Sequence, residues 1–501
     1  MATADVPRAS ALTGDLHADV CVIGGGISGV TTAYLLAGEG RRVVLLEDGQ
    51  IGSGETSRTT AHLASAFDDR YFEVERLHGT EGARITAESH GAAIDRIEEI
   101  VRGEAIECGF MRLDGFLFLQ PGDPAEDLER ELEAAHRAGL GDVERVPRAP
   151  LVEFDTGPAL RFPRQGQFHP LRYLTGVARA LERRGGSIFT DTHVTEIEGG
   201  SPARVRTGRG HAVHADAVVV ATNSPISDRI PIHTKQAPYR TYVIGMRVPR
   251  GAVPPALYWD TEDPYHYVRL TGGNGAEGGE DGDEVLIVGG EDHKTGQAAD
   301  PGERYAALEA WTRERFPPAT EVRYRWSGQV LEPVDLLAFI GPDPSGAENV
   351  YVVTGDSGNG MTHGTLAGIL LADLIMGREN PWAALYDPSR RSLRSLPEFA
   401  RENLNVAAQY ADYLTSGDVG SEEEILAGQG AMVRRGASKM AVYRDETGQL
   451  HRRSAVCTHM GCIVAWNPGE RSWDCPCHGS RFDPWGKVLN GPALKELPPG
   501  D

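Results

Sequence analysis

Residues 457–483, CTHMGCIVAWNPGERSWDCPCHGSRFD, hold four of the chain's six cysteines. Cys457-x-His459 is followed by Cys475-x-x-His478, so two thiols and two imidazoles are offered from a pair of short loops. Thiolate and imidazole together ligate zinc or iron. Zinc fingers pair their cysteines two to four residues apart and group their histidines separately, whereas here each cysteine is followed by its own histidine. The alternation therefore points away from zinc and towards a redox centre.

The other end of the chain carries a different chemistry. Gly24, Gly26 and Gly29 form G-x-G-x-x-G directly after the apolar run ADVCVIG (18–24), ahead of a predicted helix over 27–38 and a second apolar strand, RRVVLLE (41–47), that ends in Glu47. In such a βαβ unit the first glycine permits the turn and the second admits a pyrophosphate close to the backbone. The third lets helix and strand pack, and the acid accepts ribose hydroxyls. Ile27 and Ser28 open the helix that would face the phosphates. No second such motif follows a strand, so a separate nicotinamide site is not expected and FAD is favoured. Three further stretches fit FAD: ETSRTTAHLA (55–64) with Arg58, Thr59 and Thr60, VVVATNSP (218–225) with Ala221 and Thr222, and VYVVTGDSGNGMTHG (350–364).

Together these motifs resemble the FAD-dependent glycine/D-amino-acid oxidase-like (DAO) superfamily over residues 18 to about 385. The resemblance implies that Gly358, Gly360, Met361, Thr362 and His363 lie against the isoalloxazine, with a helix dipole favouring negative charge there. It also implies oxidation of a C–N bond in an amine or amino acid. Asn223 stands where this superfamily often has glycine; no cysteine is placed for covalent flavin attachment, and His62 could serve for it, a noncovalent pocket role being favoured. The C-terminal C-T-H-x-G-C and C-P-C-H-G-S resemble Rieske proteins of the cytochrome bc complexes. That implies a 2Fe-2S cluster on Cys457, His459, Cys475 and His478, a disulfide between Cys462 and Cys477, and a covering proline loop at GPAL (491–494). The whole resembles bacterial FAD-dependent oxidoreductases with a C-terminal Rieske domain, in which a two-electron centre feeds a one-electron outlet.

These motifs require an α/β fold: a Rossmann-like FAD-binding domain with an inserted α+β substrate domain, followed by a small all-β domain. FAD-binding segments are expected at about 15–70, 165–225 and 330–380 and substrate segments at about 80–160 and 230–325, all within 1–390. A helical connector over 391–415 and a Rieske domain over 416–501 complete the chain. Helices are predicted near 84–104, 126–138 and 362–377, and extended runs at 239–248 and 265–270. On YHYVRL (265–270), Tyr265, Tyr267 and Arg269 share one face by the two-residue period of a strand. Tyrosine and arginine hold the substrate carboxylate in amino-acid oxidases, so this face, with His363, is the expected catalytic wall. Tyr239, His169 and Trp326 are weaker candidates. The glycine- and acid-rich loop 271–284 carries no assignable function.

A formal net charge of -22 disfavours nucleic acid and anionic membrane as partners. The N-terminal stretch has no secretion signal, and the longest apolar run, Leu366 to Met376, is too short to span a bilayer. A cytoplasmic protein is expected, with a small-molecule substrate and an external one-electron acceptor as partners and the oligomeric state open. A Rieske oxygenase would need a mononuclear iron site, and His211 and His214 lack its spacing and its acid. A non-catalytic flavin/iron–sulfur carrier serving another enzyme is the alternative reading, against which the inserted domain argues.

Ser480 keeps a hydroxyl donor for the cluster, but Phe482 stands where high-potential Rieske proteins carry tyrosine, and donors to sulfur raise the potential. Phe482→Tyr is expected to raise the cluster midpoint in voltammetry. An unchanged or lowered midpoint would refute that assignment.

Overall fold

A computed structural model describes residues 4–152, 154–226, 232–271, 283–436 and 438–500. Most of the loop expected at 271–284 lies outside the described residues. The apolar N-terminal run forms β1 (Leu16–Ile23), followed by α1 (Ile27–Gly38) and β2 (Val43–Leu46). β2 is buried along its whole length, as a parallel strand covered on both faces requires. Two later runs become β3 (Ala212–Val220) and β4 (Val350–Thr354), and β4 leads into α2 (Gly360–Ile375). The sheet runs Phe339–Pro342, β4, β3, β1, β2, Ser187–Phe189, with 194–198 and 203–207 attached through β3.

β1 pairs in parallel with both β2 and β3, and β3 with β4, so Ile23 lies beside Leu46 and Val220, and Val220 beside Val352. The carboxyl ends of β1, β3 and β4 therefore converge, which is where an open α/β sheet binds its ligand. Convergence demands glycine. Gly24 has φ +106°, and a Cβ there would lie 2.3 Å from the Ala221 carbonyl oxygen. A Cβ on Gly29 would come within 1.9 Å of the Gly24 oxygen. α1 and α2 cross just as closely, since a Cβ on Gly364 would meet Ile27 Cγ2 at 2.6 Å.

A second sheet of nine strands stands over the open end of the first, in the order 322–333, 236–248, 284–294, 267–271, 257–260, 111–118, 159–167, 62–63, with 144–146 at the side. The helix Tyr71–Gly103 begins earlier than its predicted start near residue 84 and is interrupted by non-helical Gly79. Beyond α2 come Ala383–Tyr386 and the longer helix Leu396–Gln409, which lead to two small sheets of three and four strands over 429–490. No helix among the described residues is long and apolar enough to cross a membrane.

Because Gly29 sits against the Gly24 carbonyl, Gly29→Ala is expected to cost about 1–3 kcal/mol by overpacking and to lower FAD content. Native FAD content with an unchanged unfolding midpoint would show that the contact is not constraining.

Candidate active site and metal centre

A cavity of about 1210 Å³ opens where the three strand ends converge. Of the residues expected around a flavin, Gly24, Gly26, Ile27, Ser28, Glu47, Arg58, Thr59, Thr60, Ala221, Thr222, Gly358, Gly360, Met361 and His363 line it. α1 and α2 both start at this cavity, and neither N-cap residue supplies a side-chain cap; Thr56 Oγ1 takes the Ile27 N–H at 3.1 Å, and the other first-turn N–H groups stay available to an anion. Glu47 accepts from Gly25 N at 2.5 Å and Gly49 N at 2.9 Å. Burial raises its pKa and these two donors counteract the rise; each oxygen keeps a second lone pair for a hydroxyl. Glycines that leave no room for a Cβ, two helix starts and a buried acid fit a dinucleotide such as FAD.

Some expected residues stand elsewhere. Gly29 and Thr362 do not line the cavity: Gly29 packs on Gly24, and the Thr362 hydroxyl donates to Asn359 O at 3.0 Å. Arg58 reaches the cavity but donates to Ser327 O and Glu470, both at 2.8 Å. Asn223 adopts φ +62°, a left-handed conformation that glycine or asparagine meets at low cost. His62 Nδ1 lies 3.0 Å from Thr60 Oγ1 and Nε2 3.3 Å from Val268 O, so both nitrogens are engaged; burial and the Arg269 charge press its pKa to about 3. His169 accepts from Arg172 N at the start of helix Pro170–Arg183, and Trp326 donates to Arg58 O.

The expected catalytic face divides. Tyr265 and Tyr267 line the cavity, with Tyr265 donating to Asp68 Oδ2 at 2.7 Å and Tyr267 Oη 2.6 Å from Thr241 Oγ1. Arg269 corrects the expectation: its buried guanidinium donates to the carbonyls of Thr60 and Leu270, beneath the cavity wall. The strand period fixes the face a side chain shares but not its depth along the sheet. His363 Nδ1 lies 2.8 Å from Asp356 O and so carries the proton, leaving Nε2 to accept from His90 Nε2 at 3.3 Å. Burial lowers its pKa to about 4, which keeps the ring neutral.

Sequence reasoning missed the acids. Asp68, Asp69, Asp292, Glu332 and Asp356 all line the cavity. Burial pushes Asp69 and Asp292 up to about 7 and Asp356 to about 6, with neighbouring carboxylates adding to each rise, and raises Asp68 and Glu332 as well. They come from four separate stretches of chain, so no local pattern announces them.

At the C-terminal end the four expected metal ligands gather. The thiols of Cys457 and Cys475 hydrogen-bond each other, and backbone N–H groups of His459 and Met460 point at Cys457 and those of Cys477 and His478 at Cys475. The His459 and His478 rings stand 5.0 Å apart and perpendicular, and His478 Nδ1 is buried with no hydrogen-bond partner. Two sulfurs cradled by amides beside two imidazoles fit a 2Fe-2S centre. Cys462 and Cys477 are disulfide-bonded. Ser480 Oγ accepts from Ala493 N at 3.0 Å and bonds Cys457, fastening GPAL to the cluster loops.

The two halves are joined by buried charge. Ser327 Oγ donates to Glu470 at 2.6 Å and accepts from Arg240, whose side chain is 1% exposed and 4.0 Å from Glu470. Arg481 pairs with Asp474 at 3.0 Å. Gly479, at φ +77°, lets the second cluster loop approach Pro238 and Gln329, and Gln329 donates to its carbonyl at 3.0 Å. His233 of the flavin-bearing half stands edge-on to His459 at 5.0 Å, and nearby Gln236 takes the Thr354 hydroxyl at 3.2 Å. His459 and His478 thus abut the turn His233–Lys235, which leads into the strand bonded to β4.

Residues 19–374 match the family of FAD dependent oxidoreductases (DAO) and 416–499 the Rieske [2Fe-2S] domain. The chain is 34% identical over 98% of its length to YhfW of Bacillus subtilis, a protein named for a Rieske 2Fe-2S centre, and covers 95% of it. It is 29% identical to gamma-glutamylputrescine oxidoreductase of Escherichia coli, over 73% of this chain and 85% of that one. Glycine oxidase from Geobacillus kaustophilus shares the fold, with a TM-score of 0.62 at 21% identity over 75% of this chain and 99% of that one.

Burial would raise the pKa of Glu470, but Arg58, Arg240 and the Ser327 hydroxyl hold it below the ordinary glutamate value. Its contribution is therefore full above about pH 4.3 and lost as acid protonates the folded state. Glu470→Ala leaves Arg240 buried beside fewer anions and is expected to cost about 1–3 kcal/mol. Faster hydrogen exchange in 326–330 and 467–473 would report it; unchanged exchange would mean that other contacts hold the interface.

Proposed function

Since the chain belongs to the FAD-dependent oxidoreductase (DAO) family and carries a C-terminal Rieske domain, we propose that it oxidises a C–N bond of a small amine or amino acid and delivers the electrons singly, through its cluster, to an external acceptor. When bound, FAD supplies a hydride acceptor and the cluster a one-electron relay. The protein's own part is to bind, orient and exclude water.

The observation that carries this reading is that one cavity has walls from both halves: Val488, Leu489, Asn490, Gly491, Ala493 and Leu494 of the cluster-bearing end line the same space as Gly24 and Gly358. A cover contributed by the electron-accepting domain shields the reaction from solvent while keeping the exit short. Asn490 donates to Glu55 Oε1 at 3.0 Å, which fastens that cover beside the glycine-rich turn. Tyr265 and Tyr267 would border the substrate, and neutral His363 would support the late glycine loop through Asp356 O.

The test compares turnover linked to a one-electron dye with peroxide release, in wild type and His459→Ala. The variant is expected to keep FAD and anaerobic bleaching by substrate, to lose the cluster's paramagnetic resonance signal, and to lose dye-linked turnover by about 10-fold or more. Equal turnover in both proteins would mean that electrons leave without the cluster. If no amine or amino acid bleaches the flavin band, the proposed reaction is wrong.

A further inference from the structure

One wall of the cavity is built for positive charge. Asp68 stands close enough to raise the pKa of Asp69, Asp292, Glu332 and Asp356, and Asp69, Asp292 and Asp356 in turn raise that of Glu332. Among the described residues, every lysine or arginine that lines the cavity is already paired: Arg58 with Glu470, Lys294 and Arg401 with Glu402, and Arg481 with Asp474. Arg269, which could have met a carboxylate, is turned to the Thr60 and Leu270 carbonyls.

A second observation points to the ligand itself. Asp292 Oδ1 is buried and has no hydrogen-bond partner, although it belongs to a residue that lines the cavity. Asp292 takes a single side-chain bond, from Thr241, which leaves that oxygen over, whereas Asp68 accepts from Tyr265 and Asp69 from Ser357 Oγ at 3.1 Å. An acceptor without a donor in a low-dielectric site is costly, and an ammonium group offers three donors and the compensating charge. Tyr265 and Tyr267, with ring centroids 5.5 Å apart and the cavity beside them, present π faces and edges suited to a cation on an alkyl chain.

We propose that the substrate is an aliphatic amine cation with no carboxylate on the reacting carbon, received by Asp292 between the tyrosines. The inference rests on the C–N oxidation proposed above and chooses within it. An α-amino acid would bring its carboxylate into a cluster of acids with no uncommitted cation to meet it, whereas a mono- or diamine brings only the charge the site lacks.

The FAD-loaded full chain is titrated anaerobically with matched pairs, butylamine against norvaline and butane-1,4-diamine against ornithine, which differ by one α-carboxylate. Kd is read by calorimetry and flavin reduction by bleaching. Each amine is expected to bind at least about tenfold more tightly than its partner and to bleach the flavin faster, and Asp292→Asn to weaken amine binding by about tenfold while narrowing the gap within each pair. Tighter binding and faster bleaching by norvaline and ornithine would overturn the inference while leaving C–N oxidation standing. Bleaching by neither class would instead bring down the reaction itself. The wild-type pairs decide the matter if the variant does not fold.

Discussion

The architecture depends on burying a charged junction between two domains that must stay in register. Glu470, Arg58, Arg240 and Ser327 form one hydrogen-bonded group, and Arg481 and Asp474 another beside it. Removing such charges from water costs free energy that an apolar interface would not require. What the arrangement provides is position: a salt bridge tolerates far less sliding than leucine on leucine. Gly479, with no Cβ to separate the backbones, brings the second cluster loop onto Pro238 and Gln329, and Gly296 admits Asp474 and Pro476 in the same way. From that seating follow both the closure of the cavity by Val488–Leu494 and the contact of His233 with the cluster histidines.

The cavity carries both signs of electrostatics from ordinary means. The start of α1 and the glycine-rich turn before it present N–H groups, which suits an anion that must also be approached closely. Asp292 and Glu332, from two strands of the second sheet, share the space with Asp68, Asp69 and Asp356 from loops, and burial raises their affinity for protons. Asp68 and Asp356 stand against Gly358 and Gly360, so the acids reach the start of α2 as well.

What could be read from the sequence follows the same division. The glycine motif, Glu47 and the paired Cys-His loops are local patterns, because a tight turn or a metal ligand set constrains neighbours in sequence. The Cys462–Cys477 disulfide came with the family resemblance, and the chain forms it. Arg269 misled because periodicity gives a face, not a depth, and the chain that lines the cavity at Tyr265 and Tyr267 has passed beneath its wall by Arg269. Asp68, Asp292 and Glu332 were illegible as a group, since an acid on a surface loop and an acid in a cavity look alike until the sheet is assembled. Glu470 and Arg240 were equally silent: an interface ion pair has no spacing rule.

The connector shows why the halves should be regarded as one machine. Its helix Leu396–Gln409 carries Glu402, which holds Lys294 and Arg401 at the cavity wall, and Asn403, which donates to Thr234 O beside His233. Immediately afterwards, Tyr410 donates to Met460 O at 2.7 Å and Tyr413 to Gly461 O at 2.5 Å, both in the first cluster loop. A segment that only tethered two domains would need none of these bonds. Because the same helical stretch touches the cavity wall, the neighbour of His233 and the first Cys-His loop, displacement at any one of them must strain the other two. The register between cavity and cluster is therefore set by three contacts in a short run of chain as well as by the charged junction.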